Sequence, residues 1–232
     1  MTTAIILAGG LGTRLRSVIP DLPKPMAPIC GRPFIEYQLE YWIKQGINKF
    51  ILSVGYKNKV ISGYFGDNYK GVEIDYVIEN EPLGTGGAFL LASERIANNE
   101  SFLLLNGDTY FDVDLDKLKE FAIEKDADWC FSLFKTNDTE RYMGMEVSDE
   151  SQITSLVSGT SFLANGGVYW VNPRILNNKL FSVGDKLSLE NDFFPKVLAL
   201  KNRLYGIEFL GRFIDIGIPT DYEYAQKIFT YY

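Results

Sequence analysis

The chain reads as an α/β fold, a mostly parallel sheet flanked by helices with a smaller lobe built on its second half. Two observations predict this. Short apolar runs alternate with amphipathic stretches through the first half, the pattern of strand–helix–strand units. The first apolar run also passes directly into a glycine-rich turn, Gly9-Gly10-Leu11-Gly12. A length of 232 residues suits one such domain, and a hydrophobic fraction of 46% supplies ample core.

Taken in order, Ala4 to Ala8, Lys49 to Val54, Glu73 to Val77, Ser101 to Asn106 and Asp128 to Phe134 are the strand candidates. Between them, Phe34 to Gln45 brings Ile35, Leu39, Trp42 and Ile43 to one helical face. Gly86 to Ala97 and Asp114 to Lys125 also read as helices. After about Tyr142 the texture changes. Met145 to Val147, Ile153 to Val157, Gly167 to Val171 and Leu204 to Phe209 read as strands with polar turns between them. Two further helices are expected, Asn191 to Leu200 and Pro219 to Phe229, the latter opened by proline in its first turn. With no repeat, low-complexity tract or Pro/Gly/Ser linker, residues 1–232 read as one domain. Its first half is about 1–135 and its second about 136–232.

Composition excludes several chemistries. Histidine is absent, which removes Ser-His-Asp and Cys-His nucleophiles, histidine metal sites and histidine acid–base catalysis. A net charge of -7 argues against nucleic acid as a partner, since phosphate backbones require a basic footprint. The two cysteines, Cys30 and Cys130, form neither a disulfide framework nor a zinc cluster. No segment approaches the roughly 20 apolar residues of a membrane span, and the N-terminus lacks the pattern of a signal peptide. A reduced cytoplasm is the expected location.

The remaining chemistry belongs to carboxylates, lysine, arginine, backbone amides and a hard metal ion. The glycine turn continues into Arg14 and Arg16, and Lys24 stands between Pro23 and Pro25. Three glycines in four positions let backbone N–H groups approach an anion, and three cations on one loop of an acidic protein ask for an acidic ligand. The alternative is a surface turn with solvated charges. A P-loop is excluded because no lysine stands in its place, and a dinucleotide fingerprint fails because Leu15 occupies the position of its last glycine.

Leu7-Ala8-Gly9-Gly10-Leu11-Gly12-Thr13-Arg14-Leu15 followed by Pro23-Lys24-Pro25 resembles the signature of the sugar-1-phosphate nucleotidyltransferases. The similarity continues through Glu81 to Ala88, Asn106-Gly107-Asp108, Asn165-Gly166-Gly167, Ser188 to Asp192 and Asp215-Ile216-Gly217, nearly the whole chain in order. The resemblance implies a Rossmann-like, glycosyltransferase-A-like fold whose second-half lobe binds a sugar. It implies a reaction in which a sugar 1-phosphate attacks the α-phosphorus of a nucleoside triphosphate and releases pyrophosphate.

The same resemblance implies roles. Arg14 and Lys24 would be catalytic, holding the triphosphate and the reacting phosphate. Leu7, Ala8, Gly9, Gly10, Gly12, Thr13, Glu79, Gly84, Thr85 and Gly107 would bind the nucleotide. Asn165, Gly166, Glu190 and Gly144 would bind the sugar phosphate, with Tyr142 and Lys186 as weaker candidates. Asp108 and Asp215 would hold Mg²⁺. Bland alternatives stand beside these: a cap or turn carboxylate for either aspartate, an exposed strand-end charge for Glu79, a helix N-terminal charge for Glu190.

Glu79 lies five residues before Gly84, where uridylyl- and thymidylyltransferases of the family commonly show Gln. A carboxylate accepts the two adjacent donors of guanine's edge, so Glu79 favours GTP. In this respect, and through Pro82-Leu83-Gly84-Thr85-Gly86-Gly87, the chain most resembles the branch acting on D-glycero-α-D-manno-heptose 1-phosphate. The mannose-1-phosphate guanylyltransferases come next, then the uridylyl-, thymidylyl- and cytidylyltransferases. A rival of another class is a silent relative that binds nucleotide sugars as a regulatory subunit.

Two features depart from the family's pattern. Tyr142-Met143-Gly144 stands where Tyr-Gly is usual. A Glu-Lys pair whose lysine holds the sugar phosphate is replaced by Leu156-Val157-Ser158-Gly159-Thr160. Either Arg141 or Lys186 substitutes, or the sugar is held in another way. The aromatic C-terminus, Phe229 to Tyr232, is a candidate homodimer contact or a packed end.

Overall fold

The computed structural model describes residues 2–96, 100–157, 159, 161–178 and 180–231. The strands are β1 (Thr3–Leu7), β2 (Pro28–Ile29), β3 (Arg32–Pro33), β4 (Lys49–Val54), β5 (Asn68–Tyr69), β6 (Val72–Ile78), β7 (Phe102–Asn106) and β8 (Thr109–Phe111). In the second half they are β9 (Trp129–Lys135), β10 (Gly144–Val147), β11 (Ile153–Val157), β12 (Leu163–Val171), β13 (Leu204–Glu208) and β14 (Phe213–Asp215). The helices are α1 (Phe34–Lys44), α2 (Asn58–Phe65), α3 (Gly84–Ser93), α4 (Leu115–Glu124), α5 (Phe194–Ala199) and α6 (Pro219–Ile228).

Among the described residues, ten strands form one sheet in the order β11-β10-β12-β7-β1-β4-β6-β5, with β9 joined to β12 and β13. The pairs β7–β1, β1–β4 and β4–β6 are parallel, while β12 enters antiparallel to β7 and opens the irregular second half. The central strands are apolar on both faces, as a covered parallel sheet requires. In β1, Ala4 and Ile6 point to one side and Ile5 and Leu7 to the other. The first side is covered by α1, α2 and α4 through Leu39, Ile61 and Leu118; the second is covered by α3 and α5 through Phe89 and Phe194.

Parallel register decides where function sits. Leu7 pairs with Asn106 on one side and with Ser53 on the other, and Ser53 pairs in turn with Val77. The residues leaving these strands therefore emerge together at one edge, the usual ligand-binding edge of an open α/β sheet. A third, small core packs below it. Leu15 of the glycine loop, Phe34, Tyr37, Tyr110, Ile214 and Phe229 share it.

Most predicted elements lie within a few residues of their expected bounds. The helix expected over Gly86 to Ala97 begins at Gly84, because Leu187 O accepts from the N–H groups of both Gly86 and Gly87 and anchors the first turn. The Ala97 end lies outside the described residues. The helix expected from Asn191 is instead a π-helical turn, Leu189–Phe193, followed by α5. Ser188 Oγ accepts from the N–H groups of Glu190 and Asn191 and caps that turn. Helix α2, with Gly63 in its interior, and the short β8–β14 ribbon had no counterpart in the sequence reading. At the C-terminus Phe229 is a packed end, its ring 4.4 Å from that of Tyr37 and 5.1 Å from that of Tyr110. Tyr232 lies outside the described residues.

Candidate active site

A cavity of about 450 Å³ opens at the carboxyl edge of the parallel strands. It gathers Leu7, Ala8, Gly9, Gly10, Gly12 and Thr13 from the first loop, Lys24 from the second, Glu79, Gly84 and Thr85 from the β6–α3 connection, Gly107 and Asp108 after β7, and Glu190 from the π-turn. These were all singled out in the sequence. Leu11, Pro25, Pro82, Ala88 and Asn106 complete the lining. Of the sequence-derived candidates, Arg14, Gly144, Asn165, Gly166 and Asp215 lie outside it. Arg14 is exposed on a short helical turn one residue beyond Thr13.

The glycine loop fits because its second wall is a carboxylate. A Cβ on Gly9 would overlap the Glu79 side chain, so only glycine lets the loop close over it. Glu79 itself is 9% exposed, which rules out the exposed strand-end charge. Its Oε1 accepts from Ser53 Oγ at 3.2 Å and its Oε2 from Leu83 N–H at 3.3 Å. Burial raises its pKa above the usual carboxylate value, and the two hydrogen bonds partly oppose the rise. Ser53 was missed in the sequence; it is a buried polar residue in an otherwise apolar strand, which is the signal that marks it.

Two carboxylate–cation pairs lie side by side. Lys24 Nζ is 2.5 Å from Asp108 Oδ2, with Lys24 10% and Asp108 38% exposed at their side chains. Asp215 Oδ2 accepts from Arg141 Nη2 at 3.1 Å, and its Oδ1 accepts from Gly217 N–H at 2.6 Å. Arg141 also bonds Asp221 at the start of α6. The two aspartates are neighbours because β14 pairs with β8 in a register that sets Asp215 beside Thr109, and Ile216 N–H donates to Asp108 O at 3.0 Å.

Glu190 is held from two sides. Its Oε2 accepts from Thr85 Oγ1 and from Ser188 Oγ, each at 2.9 Å. It is thus a cavity carboxylate tied to two hydroxyls as well as a charge in the first turn. Asn165 donates from Nδ2 to Tyr169 OH at 2.8 Å and accepts at Oδ1 from Gly167 N–H. Gly166 packs where any side chain would strike Phe111, and Gly144 is buried at the start of β10. Tyr142 stands against Phe134 and Phe213 beneath the Arg141 guanidinium. Lys186 is exposed and paired with Glu81 at 2.8 Å. Ser158 and Thr160, in the segment replacing the usual Glu-Lys pair, lie outside the described residues.

Such a site offers backbone donors, paired cations and convergent carboxylates, the parts list for handling phosphate groups. The family model described as Nucleotidyl transferase matches residues 3–230. The chain belongs to this family. Among curated nucleotidyl transferases, it is 46% identical over 231 residues to D-glycero-alpha-D-manno-heptose 1-phosphate guanylyltransferase of Aneurinibacillus thermoaerophilus, covering 99% of both chains. It is 45% identical to the enzyme of the same description from Campylobacter jejuni, covering 94% of this chain and 96% of that one. Among solved structures, HddC from Yersinia pseudotuberculosis complexed with GMP-PN superposes with a TM-score of 0.85 at 38% identity, over 99% of this chain and 100% of that one. Among the described residues of this nucleotidyl transferase, no helix is long and apolar enough to cross a membrane.

Proposed function

We propose that the protein transfers the guanylyl group of GTP to D-glycero-α-D-manno-heptose 1-phosphate, releasing pyrophosphate and forming GDP-heptose for surface glycans in the cytoplasm. The observation that carries this reading is the buried Glu79 carboxylate lining the same cavity as the glycine loop, Lys24 and Asp108. The near full-length similarity to two heptose 1-phosphate guanylyltransferases supports the acceptor.

The chemistry asks little of the protein beyond alignment and charge. An anionic phosphate oxygen of the sugar 1-phosphate attacks the α-phosphorus, a new P–O bond forms, and the bond to pyrophosphate breaks in line. Amides of Gly9 to Thr13 would cradle the triphosphate, with Arg14 reaching over it from the loop's exposed side. Lys24 would leave Asp108 for the reacting phosphate. Glu79 would accept from the guanine N1–H and N2–H₂ groups, since each of its oxygens has a lone pair beyond the one engaged by Ser53 or Leu83.

Asp108 and Asp215 suit a hard cation: both present carboxylate oxygen, both already face positive charge, and the turn holding Asp108 adjoins β14, where Asp215 sits. Such an ion would need only one or both of these carboxylates, with water and substrate phosphates completing its shell. Mg²⁺ held there would supply positive charge against the phosphates. Of the two cations weighed for the sugar phosphate, Arg141 is the better placed, because it touches Asp215 while Lys186 is occupied on the surface by Glu81. One unit of residues 1–232 would then work with about 1–135 holding nucleotide and about 136–232, with Glu190, Asn165, Gly166 and Gly144, holding the sugar phosphate.

The test is pyrophosphate release with Mg²⁺ over a grid of nucleoside triphosphates and sugar 1-phosphates, including mannose, glucose and heptose. Strongest release is expected for GTP with heptose 1-phosphate. Preference for another pair would discard the Glu79 argument and keep nucleotidyl transfer; a blank grid would favour a silent, nucleotide-sugar-binding relative.

A further inference from the structure

The sheet carries an irregularity directly beneath the site. Between the β12–β9 pairs Asn165↔Leu133 and Tyr169↔Phe131, β12 uses four residue steps where β9 uses two, so two extra residues buckle out of the strand. Gly167 takes φ +72 at the buckle, which favours glycine. In a regular strand, residues four apart are separated by about 13 Å. Here the buckle brings the Asn165 carboxamide within 2.8 Å of the Tyr169 hydroxyl.

Tyr169 is fully buried, 0% exposed, and its hydroxyl accepts from Asn165 Nδ2. Gly167, at the buckle between them, packs where a side chain would strike Asn106, which lines the cavity. Asn165 Oδ1 is engaged by Gly167 N–H, so that carboxamide is fixed at both ends. Burial, reinforced by the nearby charges of Glu190 and Asp108, holds the phenol pKa well above its usual value and keeps the hydroxyl neutral.

We infer that Tyr169 is a positioning residue whose hydroxyl fixes the Asn165 carboxamide of the strand buckle, holding it in place for the acceptor sugar. The inference rests on the proposed function for the role of Asn165. A fixed amide matters because misplacing a reacting group by about 1 Å can lower rate a hundredfold, and a carboxamide left with the Gly167 N–H alone is less firmly placed.

The experiment uses Tyr169→Phe, Asn165→Ala and their double variant in the full chain. Tyr169→Phe should raise KM for the sugar 1-phosphate about tenfold while KM for GTP stays within about threefold, the asymmetry expected when backbone amides hold the nucleotide. Thermal midpoints should differ by a few degrees at most. The double variant should be no worse than Asn165→Ala, since both changes remove one link. Equal loss in both KM values, or additive losses in the double variant, would overturn the role. A second readout needs no turnover. In asparagine-¹⁵N-labelled protein, the side-chain amide resonances of Asn165 should move in Tyr169→Phe, and unchanged resonances overturn the lock. If the unaltered protein is silent with GTP and heptose 1-phosphate, the functional reading fails by itself, and the amide resonances still decide the lock.

Discussion

The two walls of the cavity are built in different ways. The wall proposed to hold the nucleotide grows from parallel strands whose register aligns Leu7, Ser53, Val77 and Asn106 at one level. What it offers is mostly backbone, and its tolerance for side chains is low, as the overlap of any Gly9 Cβ with Glu79 illustrates. The side proposed to hold the sugar phosphate is assembled from a π-turn that lines the cavity and, beyond the lining, a buckled antiparallel strand and a two-strand ribbon. Its groups, Asn165, Glu190 and Asp215, are each held by other side chains: Tyr169, Thr85 and Arg141. Strand register makes the first wall hard to retune without losing it. The second depends on single hydrogen bonds, so individual substitutions there should alter substrate grip and leave the fold in place.

The comparison breaks most visibly where the walls meet. Lys24→Ala should lower kcat on the order of 10²–10³-fold, the loss seen when one preorganised charge partner is removed from a transition state. Circular dichroism and thermal midpoint should be nearly unchanged, because the partner Asp108 is 38% exposed and rehydrates. Near-normal turnover would remove Lys24 from the chemistry.

On the nucleotide side, Glu79→Gln should reduce the GTP over UTP ratio of kcat/KM by about thirtyfold, since an amide N–H would oppose a guanine donor. The same variant sharpens the comparison through pH. Burial raises the Glu79 pKa in the folded protein above its ordinary 4.5, so the native state binds this proton more tightly than the unfolded chain. Stability from this group is full below pH 4.5 and is lost as pH rises through the folded value. Glutamine has no such dependence. The thermal midpoint of Glu79→Gln relative to the unaltered protein should therefore climb between pH 4.5 and pH 8, and a flat difference would mean Glu79 is not destabilised by its burial.

On the sugar side, Arg141→Ala should raise KM for the sugar 1-phosphate about tenfold, equivalent to ~1.4 kcal/mol, with GTP binding by calorimetry little affected. An equal effect on both substrates would make Arg141 a clamp on Asp215 and nothing more. The smallest effect on activity belongs to an arginine at neither wall. Arg174 bonds Asp126 and the buried Asp128 outside the cavity lining, so Arg174→Ala should leave kcat and both KM values unchanged while lowering the thermal midpoint, because the Asp128 carboxylate loses a partner.

Much of the first wall was legible in the sequence. Lys49 to Val54 is a largely apolar strand with the bounds it shows in the structure, and Gly9-Gly10-Leu11-Gly12 following β1 announced a backbone-lined turn. Asp114, read as the opening of a helix, caps α4 by accepting from Lys117 N–H. The second wall was legible in its residue types and scarcely in its shapes. Three-residue strands such as β8 and β14 carry too little period to detect, and a π-turn leaves the same apolar spacing as an ordinary helix start. The β12 buckle was hidden because its cause is register against β9, a property of pairs of strands.

The sequence by itself determined the α/β class, the glycine-rich loop, the chemistry excluded by the lack of histidine, and, through its resemblance to a family, most of the residues that line the cavity. The first three are local: they follow from hydrophobic period, from glycine at a turn and from which side chains exist. Tertiary structure alone decided that Lys24 meets Asp108 across 84 residues, that Arg141 meets Asp215 across 74, and that Glu79 is buried against Gly9. Charge signs permit many pairings, and only strand register and the packing of the small core around Phe34, Tyr110 and Ile214 select these.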